Sequence, residues 1–370
     1  MRDISLYIHI PFCKTICLYC NFLTFANKNR RIPEYIDGIL REIQLRADVY
    51  GRESDYEIQT VYFGGGTPSL IDPELIKKIV QQICKYFRVR ASCEITIECN
   101  PESVDEHRVC VWQEGGVTRF SLGVQSLDKK TLWRVARPHD ETMIFRALEI
   151  FKKSRMRNFG TDFIMGLPGQ TLRSFRREVE TILKYRPTHG SFYFLSYDTK
   201  RIDLFAKECP DEATQIAMYE WLCRRLKRSG FIHYEVSNWA KKGYECEHNK
   251  RYWEQKDYLG IGLGAHSIVD GVMWENESDF EAYLRDPLHK VNEMPIDHDL
   301  RRMEYIMLRL RTHEGVNLKR YAEMGDVAKL LERAKTFIVS GHLQKLRGHL
   351  RPTESGFLIL EMITGRLIAH

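Results

Sequence analysis

The chain has 370 residues, 43% of them apolar and 29% charged, a length that allows two or three domains or one large barrel with an appendage. This balance excludes a disordered tail protein, a collagen-like fibre and a membrane bundle, and no window approaches the ~20 apolar residues that a membrane-spanning helix needs. Lysine and arginine number 56 against 50 acidic residues, and the net charge of +6 is too small to argue alone for nucleic acid or a membrane surface. The whole excess lies from Arg301 onward, where 13 basic residues face 7 acidic ones. The N-terminus runs from Met1-Arg2-Asp3 into Leu6 without a signal-peptide plan, so the expected location is the cytoplasm. Ten cysteines in a long chain of this kind point to metal or redox use rather than a disulfide framework.

Short β-rich runs at 6–10, 60–63, 94–98, 119–123, 159–164 and 191–195 alternate with stretches of helical period, which predicts a parallel sheet with helices outside it. Pro33 opens an amphipathic run to Tyr50, and the cap-type Asp72 precedes a second at 73–87. Parallel α/β barrels build their sites from the loops at the carboxyl ends of the strands, and every unusual motif here lands in such a place. The first strand runs into Cys13, Cys17 and Cys20, and the second into Gly64-Gly65-Gly66-Thr67-Pro68. The third ends in Glu98-Cys99-Asn100-Pro101 and the fourth in Val124-Gln125-Ser126, while the fifth holds Asp162 before Gly166-Leu167-Pro168-Gly169.

Beyond residue 205 the pattern turns mostly helical, with 211–229 the longest run, and then becomes an aromatic-rich loop region through Trp253. Helices at 299–311, 318–323, 327–340 and 353–364, with a hairpin near 342–351, suggest a small winged-helix-like domain. The expected division is a barrel core over 1–205, an extension over 206–295 and a C-terminal domain over 296–370.

Three cysteines within eight residues offer thiolates to one metal centre. A structural zinc and a fully ligated [4Fe-4S] cluster both take four ligands, so three would leave one iron of a cluster open to a substrate or cofactor. A zinc site completed by His9, or three unconnected buried cysteines, are the other readings of this spacing. The glycine run lets a backbone approach a ligand closely and is equally a tight strand-to-helix turn.

The segment Tyr7-Ile8-His9-Ile10-Pro11-Phe12-Cys13 with Cys17 and Cys20, followed by Gly64 to Pro68, resembles the radical S-adenosylmethionine (SAM) enzymes. Within them it is similar to the branch of oxygen-independent coproporphyrinogen III dehydrogenase and the HemW-like heme chaperones, over nearly the whole chain. The resemblance implies an α/β fold, a partial (β/α)6 TIM-like radical SAM barrel with a small, mainly helical, winged-helix-like C-terminal domain. It implies that Cys13, Cys17 and Cys20 hold a [4Fe-4S] cluster, that Tyr7 and Gly65 line the SAM site, and that Glu98 binds the ribose hydroxyls. Tyr19, Gly66, Thr67, Gln125, Arg137 and Asp162 match positions that in the dehydrogenase contact a second SAM molecule. On their own, Glu98, Gln125 and Asp162 also read as polar residues satisfying backbone groups at the barrel end. The implied chemistry is reductive cleavage of SAM to methionine and a 5′-deoxyadenosyl radical, with the barrel positioning the cofactors and excluding water.

Two departures separate the neighbours in that branch. The dehydrogenase has a further cysteine two residues after the third, where this chain has Phe22, and it has an extension ahead of the first strand. His248-Asn249-Lys250-Arg251-Tyr252-Trp253 matches the H-N-x-x-Y-W signature of the HemW-like proteins. Imidazole is a good axial iron ligand and aromatics stack on porphyrins, so His248 is the implied heme-binding residue and Cys246 a further candidate. A hydrogen-bonded packing histidine is the alternative. The stretch 260–267, with glycines at alternate positions, fits a backbone close to a ligand or to the cysteine loop, and equally a packed strand-turn. Ser196-Tyr197-Asp198-Thr199-Lys200 departs from the usual acidic-Pro-Gly form of its loop.

The implied function is a heme chaperone, with SAM-dependent oxidative decarboxylation of coproporphyrinogen III as the alternative. The expected partners are heme or a related porphyrin, recipient apo-hemoproteins, an electron donor such as flavodoxin or ferredoxin, and a membrane-associated heme acceptor. Nucleic acid is not expected, because the basic residues of the tail are spread along several helices as on any solvated face. Nothing in the sequence sets an oligomeric state.

Overall fold

The structure, a computed structural model, describes residues 1–154, 156–196 and 205–369. Alternation along the first strand sets the layering. In β1 (Arg2–Ile10), Ile4, Leu6, Ile8 and Ile10 are fully buried, and the intervening Ser5, Tyr7 and His9 take the opposite face. The apolar row shares a core with Ile36, Ile39 and Ile43 of the helix Ile32–Tyr50. The unit then repeats. Strands β2 (Tyr56–Gly65), β3 (Val89–Cys99), β4 (Arg119–Gln125), β5 (Phe159–Met165) and β6 (His189–Phe194) follow in order, each parallel to the one before. Helices Pro73–Tyr86, Glu106–Glu114, Glu141–Lys153 and Leu172–Leu183 make the later crossovers. Local signals start them as expected: Pro33 lies in the first turn of its helix, and the Asp72 side chain accepts the Glu74 N–H at 3.0 Å.

The six expected strands are these, and the helix expected at 211–229 is Glu212–Arg228. The rest of the middle segment differs from the mainly helical and looped reading. It adds β7 (Ile232–Glu235) and β8 (Asn238–Ala240) beside β6, and β9 (Tyr258–Ile261), β10 (His266–Val269), β11 (Val272–Asn276) and β12 (Lys290–Pro295) beside β1. The sheet therefore stays open, with strand order β12-β11-β10-β9-β1-β2-β3-β4-β5-β6-β8-β7. These additions escaped the pattern reading because they are three to six residues long and partly exposed, as at Asn292 and Glu293 in β12. A short strand with polar residues on both faces carries no clear hydrophobic period.

At the C-terminal end, helices His298–Leu310, Leu318–Tyr321 and Val327–Val339 surround a small sheet of β13 (Val316–Asn317), β14 (Leu343–Leu346) and β15 (His349–Pro352). The helix expected at 353–364 is two pieces, Glu354–Leu358 and Leu360–Ile368, broken at Ile359. Among the described residues no helix is long and apolar enough to cross a membrane.

A buried carboxylate ties the added strands to the barrel. Glu42, on the helix Ile32–Tyr50, is fully buried and accepts from the Gly262 N–H at 2.8 Å, the Tyr283 hydroxyl at 2.9 Å and the Asn276 amide at 2.8 Å. Arg46 Nε donates to it at 3.3 Å. Removing one member of such a network leaves buried donors and a buried cation uncompensated. Glu42→Ala should therefore cost about 3–5 kcal/mol in equilibrium denaturation, and a loss below about 1 kcal/mol would show that the network does not anchor the edge.

Candidate cofactor site

The loop after β1 is clamped at both ends of its first turn. The Cys13 N–H donates to the Phe25 carbonyl at 2.9 Å and the Phe25 N–H to the Pro11 carbonyl at 2.7 Å. The glycine loop after β2 crosses directly over it, with the Gly66 N–H on Ile10 and the Thr67 N–H on Phe12, both at 2.8 Å. A Cβ at Gly66 would stand 2.8 Å from the Phe12 carbonyl oxygen, so only glycine permits this approach. Cys13, Cys17 and Cys20 then line one wall of a cavity of about 430 Å3 at the carboxyl ends of the parallel strands.

Burial pushes the Cys13 thiol up to about 11, opposed by the Thr67 hydroxyl, whose oxygen is 3.6 Å from the sulfur. Burial also raises Cys20. The Arg137 guanidinium donates to Cys17 Sγ at 3.6 Å, and its other arm is held by Asn100 Oδ1 at 2.7 Å and the Gly123 carbonyl at 2.8 Å. A cation is thus fixed beside the cysteine loop. Among the described residues no three His, Cys, Asp or Glu side chains converge on one ion position. His9 gives its Nε2 to the Leu23 carbonyl at 2.9 Å and its Nδ1 to the Tyr7 hydroxyl at 3.1 Å. The zinc reading thus loses its fourth ligand, whereas three thiols spread along a wall suit a cluster whose ligands bind separate irons.

The cavity collects most of the expected cofactor residues: Tyr19, Gly65, Gly66, Thr67, Glu98, Gln125, Arg137 and Asp162. Glu98 accepts from the Tyr62 hydroxyl at 2.8 Å and the Gly65 N–H at 3.2 Å, and burial pushes its carboxyl up to about 7. Asp162 accepts from the Ser121 hydroxyl at 3.0 Å and is also raised by burial. Gln125 follows a register shift in the β4–β5 ladder and has φ of 64°, a bulge that turns its side chain into the cavity.

Two expected residues lie elsewhere. Tyr7 does not line this cavity; its ring stacks on Tyr62 at 6.3 Å, one layer behind Glu98. His248 is 1% exposed, with Nδ1 at 2.8 Å from the Thr60 hydroxyl and Nε2 at 2.8 Å from the Tyr252 hydroxyl, and it stacks on Tyr62 at 5.0 Å. Burial drives its pKa down to about 3. Both ring nitrogens of His248, the implied heme-binding residue, are thus hydrogen-bonded, and its ring braces Tyr62 and through it Glu98. Its signature forms the short helix Glu247–Trp253 rather than a loop. Cys246 is fully buried, its Sγ 3.8 Å from Glu94 Oε1. The stretch 260–267 is a strand-turn, and it packs on the cysteine loop: a Cβ at Gly264 would stand 2.7 Å from Leu23. Of the loop at 196–200, Tyr197, Asp198, Thr199 and Lys200 lie outside the described residues.

The sequence reading missed Tyr62, Asn100, Arg119, Ser121 and Ser191, all in the cavity lining. The signal was available in alternation. A parallel strand packed on both faces is normally apolar throughout, yet β3 runs Glu94-Ile95-Thr96-Ile97-Glu98, polar at every second residue.

The comparisons with known proteins agree with this geometry. The family description "Radical SAM superfamily" matches residues 7–182, and "HemN C-terminal domain" matches 296–359. The protein "Heme chaperone HemW" of Buchnera aphidicola subsp. Schizaphis graminum is 33% identical, with 98% of each chain covered. That of Bacillus subtilis (strain 168) is 30% identical over 86% of each chain. The solved structure of coproporphyrinogen III oxidase (HemN) from Escherichia coli superposes with a TM-score of 0.85 at 21% identity, covering 100% of this chain and 90% of that one. At that identity the likeness concerns the fold. The three-cysteine loop, the open parallel barrel and the near full-length relatives place the chain in the radical SAM superfamily and, within it, in the HemW family.

Proposed function

We infer that the protein is a heme chaperone, which binds heme and passes it to apo-hemoproteins. The observation that carries this is the similarity over 98% of the chain to a relative of that name, and Phe22 in place of a further cysteine supports it. Coproporphyrinogen III dehydrogenation is the second reading, favoured by the fold shared with the Escherichia coli enzyme.

Membership in the radical SAM superfamily implies a [4Fe-4S] cluster and SAM as cofactors. In this reading Cys13, Cys17 and Cys20 hold the cluster, which when bound supplies the electron that cleaves SAM. Arg137 offsets thiolate charge at Cys17. Glu98 takes the ribose hydroxyls, aimed by Tyr62 and the Gly65 N–H, while Tyr19, Gly66, Thr67, Gln125 and Asp162 complete the lining. An electron donor such as flavodoxin or ferredoxin, and a recipient hemoprotein that includes membrane-bound acceptors, are its partners. The barrel core (1–205), its extension (206–295) and the C-terminal domain (296–370) divide this work.

Anaerobically reconstituted protein should carry one oxygen-sensitive cluster, and alanine at Cys13, Cys17 and Cys20 together should abolish it. Retention of four irons with an unchanged spectrum would refute the ligand assignment. Glu98→Ala should weaken SAM by about 1.5–3 kcal/mol, the worth of a charge-assisted hydrogen bond, or roughly 10- to 150-fold in Kd. Because burial holds Glu98 near 7, its charged form grows in as pH rises, so wild-type SAM affinity should strengthen between about pH 6 and 8 and the variant's should not. Equal pH profiles would place Glu98 outside the site. Finally, the protein should bind heme and transfer it while leaving coproporphyrinogen III unchanged; formation of protoporphyrinogen IX without heme retention would promote the second reading.

A further inference from the structure

A second cavity, of about 1020 Å3, adjoins the first. Asn21 and Phe22 line both, and the helix Glu247–Trp253 contributes Asn249 to the first and Tyr252 and Trp253 to the second. Its size is at the upper end of the ~300–1,000 Å3 typical of small-molecule sites. Of the residues expected at the cluster and SAM, Tyr7 alone lines it.

Three features of its lining point to a large, flat, anionic ligand that carries a metal. The first is aromatic. Phe22 is 69% exposed, an apolar ring at the mouth of both cavities, and Trp253 and Tyr258 stand in the same lining. Flat rings of this kind offer stacking area to a planar ligand. The second is charge. Of the cations in the lining, Arg2 is taken by Asp257 and Asp270. Arg301, Arg320 and Lys256 make no direct ion pair among the described residues, while Arg301 lies in the field of Asp257 and Glu304 and the Arg320 guanidinium lies over the Tyr305 ring at 4.7 Å. With Glu304 counted, the lining holds four basic residues, Arg2, Lys256, Arg301 and Arg320, against three acidic ones. The surplus is positive, as carboxylates of a ligand require. The third is an imidazole. Alternation along β10 buries Ser267 and Val269 and turns His266 and Ile268 to the cavity. The His266 side chain is 61% exposed, with Glu275 the paired carboxylate at 3.9 Å. The other histidine in the lining, His9, has both ring nitrogens hydrogen-bonded.

We propose that this second cavity is the tetrapyrrole site, with His266 as axial iron ligand, Phe22 against a ring face, and Arg301 and Arg320 receiving the propionates. The proposal rests on the heme-chaperone reading. It assigns the axial role to His266, which faces the cavity, rather than to His248, whose two ring nitrogens are hydrogen-bonded to Thr60 and Tyr252. Phe22 would also bring the bound porphyrin to the rim of the cluster cavity.

The test is heme titration of the full-length, anaerobically reconstituted protein, its His266→Ala variant and the double variant Arg301→Ala/Arg320→Ala. In each, cluster absorbance and SAM binding report an intact barrel. His266→Ala should lose about tenfold or more in heme affinity and shift the Soret band, with added imidazole restoring the wild-type spectrum, as expected for a lost axial ligand. The double arginine variant should bind more weakly with its Soret band unmoved. If the wild type binds heme and His266→Ala matches it in affinity and spectrum, the site is wrong while the chaperone reading stands. If the wild type binds no heme at all, the chaperone reading falls and takes this site with it.

Discussion

Arg119 is 2% exposed on the inner face of β4, and its Nε and Nη1 have no hydrogen-bond partner among the described residues. Burial works against its charge, and the carboxylate of Glu94 opposes this. Its field in turn lowers Glu94, Glu98 and Asp162, three carboxyls that burial raises. A concave sheet face lined with carboxylates would repel itself, and one fixed guanidinium beneath them makes the arrangement tenable. The geometry above follows from it. Glu98 can be recessed and aimed because a positive charge sits nearby, and Asp162 can accept from Ser121 without a direct ion pair.

Much of this was legible in the residues. The run 6–10 reads as a strand, which the structure extends to Ile4 with alternate residues buried, and the cap-type Asp72 marks a helix start. Cys13, Cys17 and Cys20 are informative because thiolate chemistry restricts what such spacing is for. What escaped was set by partners distant in sequence. His248 reads as a ligand in isolation, and only the fold brings Thr60, 188 residues away, to its Nδ1. Glu42 meets Gly262 and Asn276 across more than 200 residues. The strands β9 to β12 are stabilised by joining a sheet that already exists, so they need little hydrophobic period of their own.

The helix Glu247–Trp253 gains a meaning from its position that its motif alone does not supply. Through His248 it holds Tyr62, whose hydroxyl aims Glu98, and through Tyr252 and Trp253 it faces the larger cavity. A change in its histidine would therefore act on SAM binding by way of Tyr62 and on the neighbouring cavity by way of Tyr252. The two effects belong to one packed unit, and a loss of heme in such a variant would not by itself identify a ligand.

An open sheet leaves two margins where a closed barrel has none, and this chain treats them differently. At β12 the free margin carries the Lys290–Glu293 pair, a positive φ at Asn292 and Pro295, all features that discourage a foreign strand from docking. At β7 the margin is covered from within: Glu235 bridges Thr312, the Val236 N–H reaches the Arg311 carbonyl at 2.7 Å, and the His313 N–H reaches Tyr234 at 3.0 Å. The segment that follows the helix His298–Leu310 thus acts as a selvedge, keeping the weave from unravelling or catching on a neighbour. Cutting the chain ahead of it would bare the backbone of β7 and turn a cofactor-binding barrel into a template for self-association.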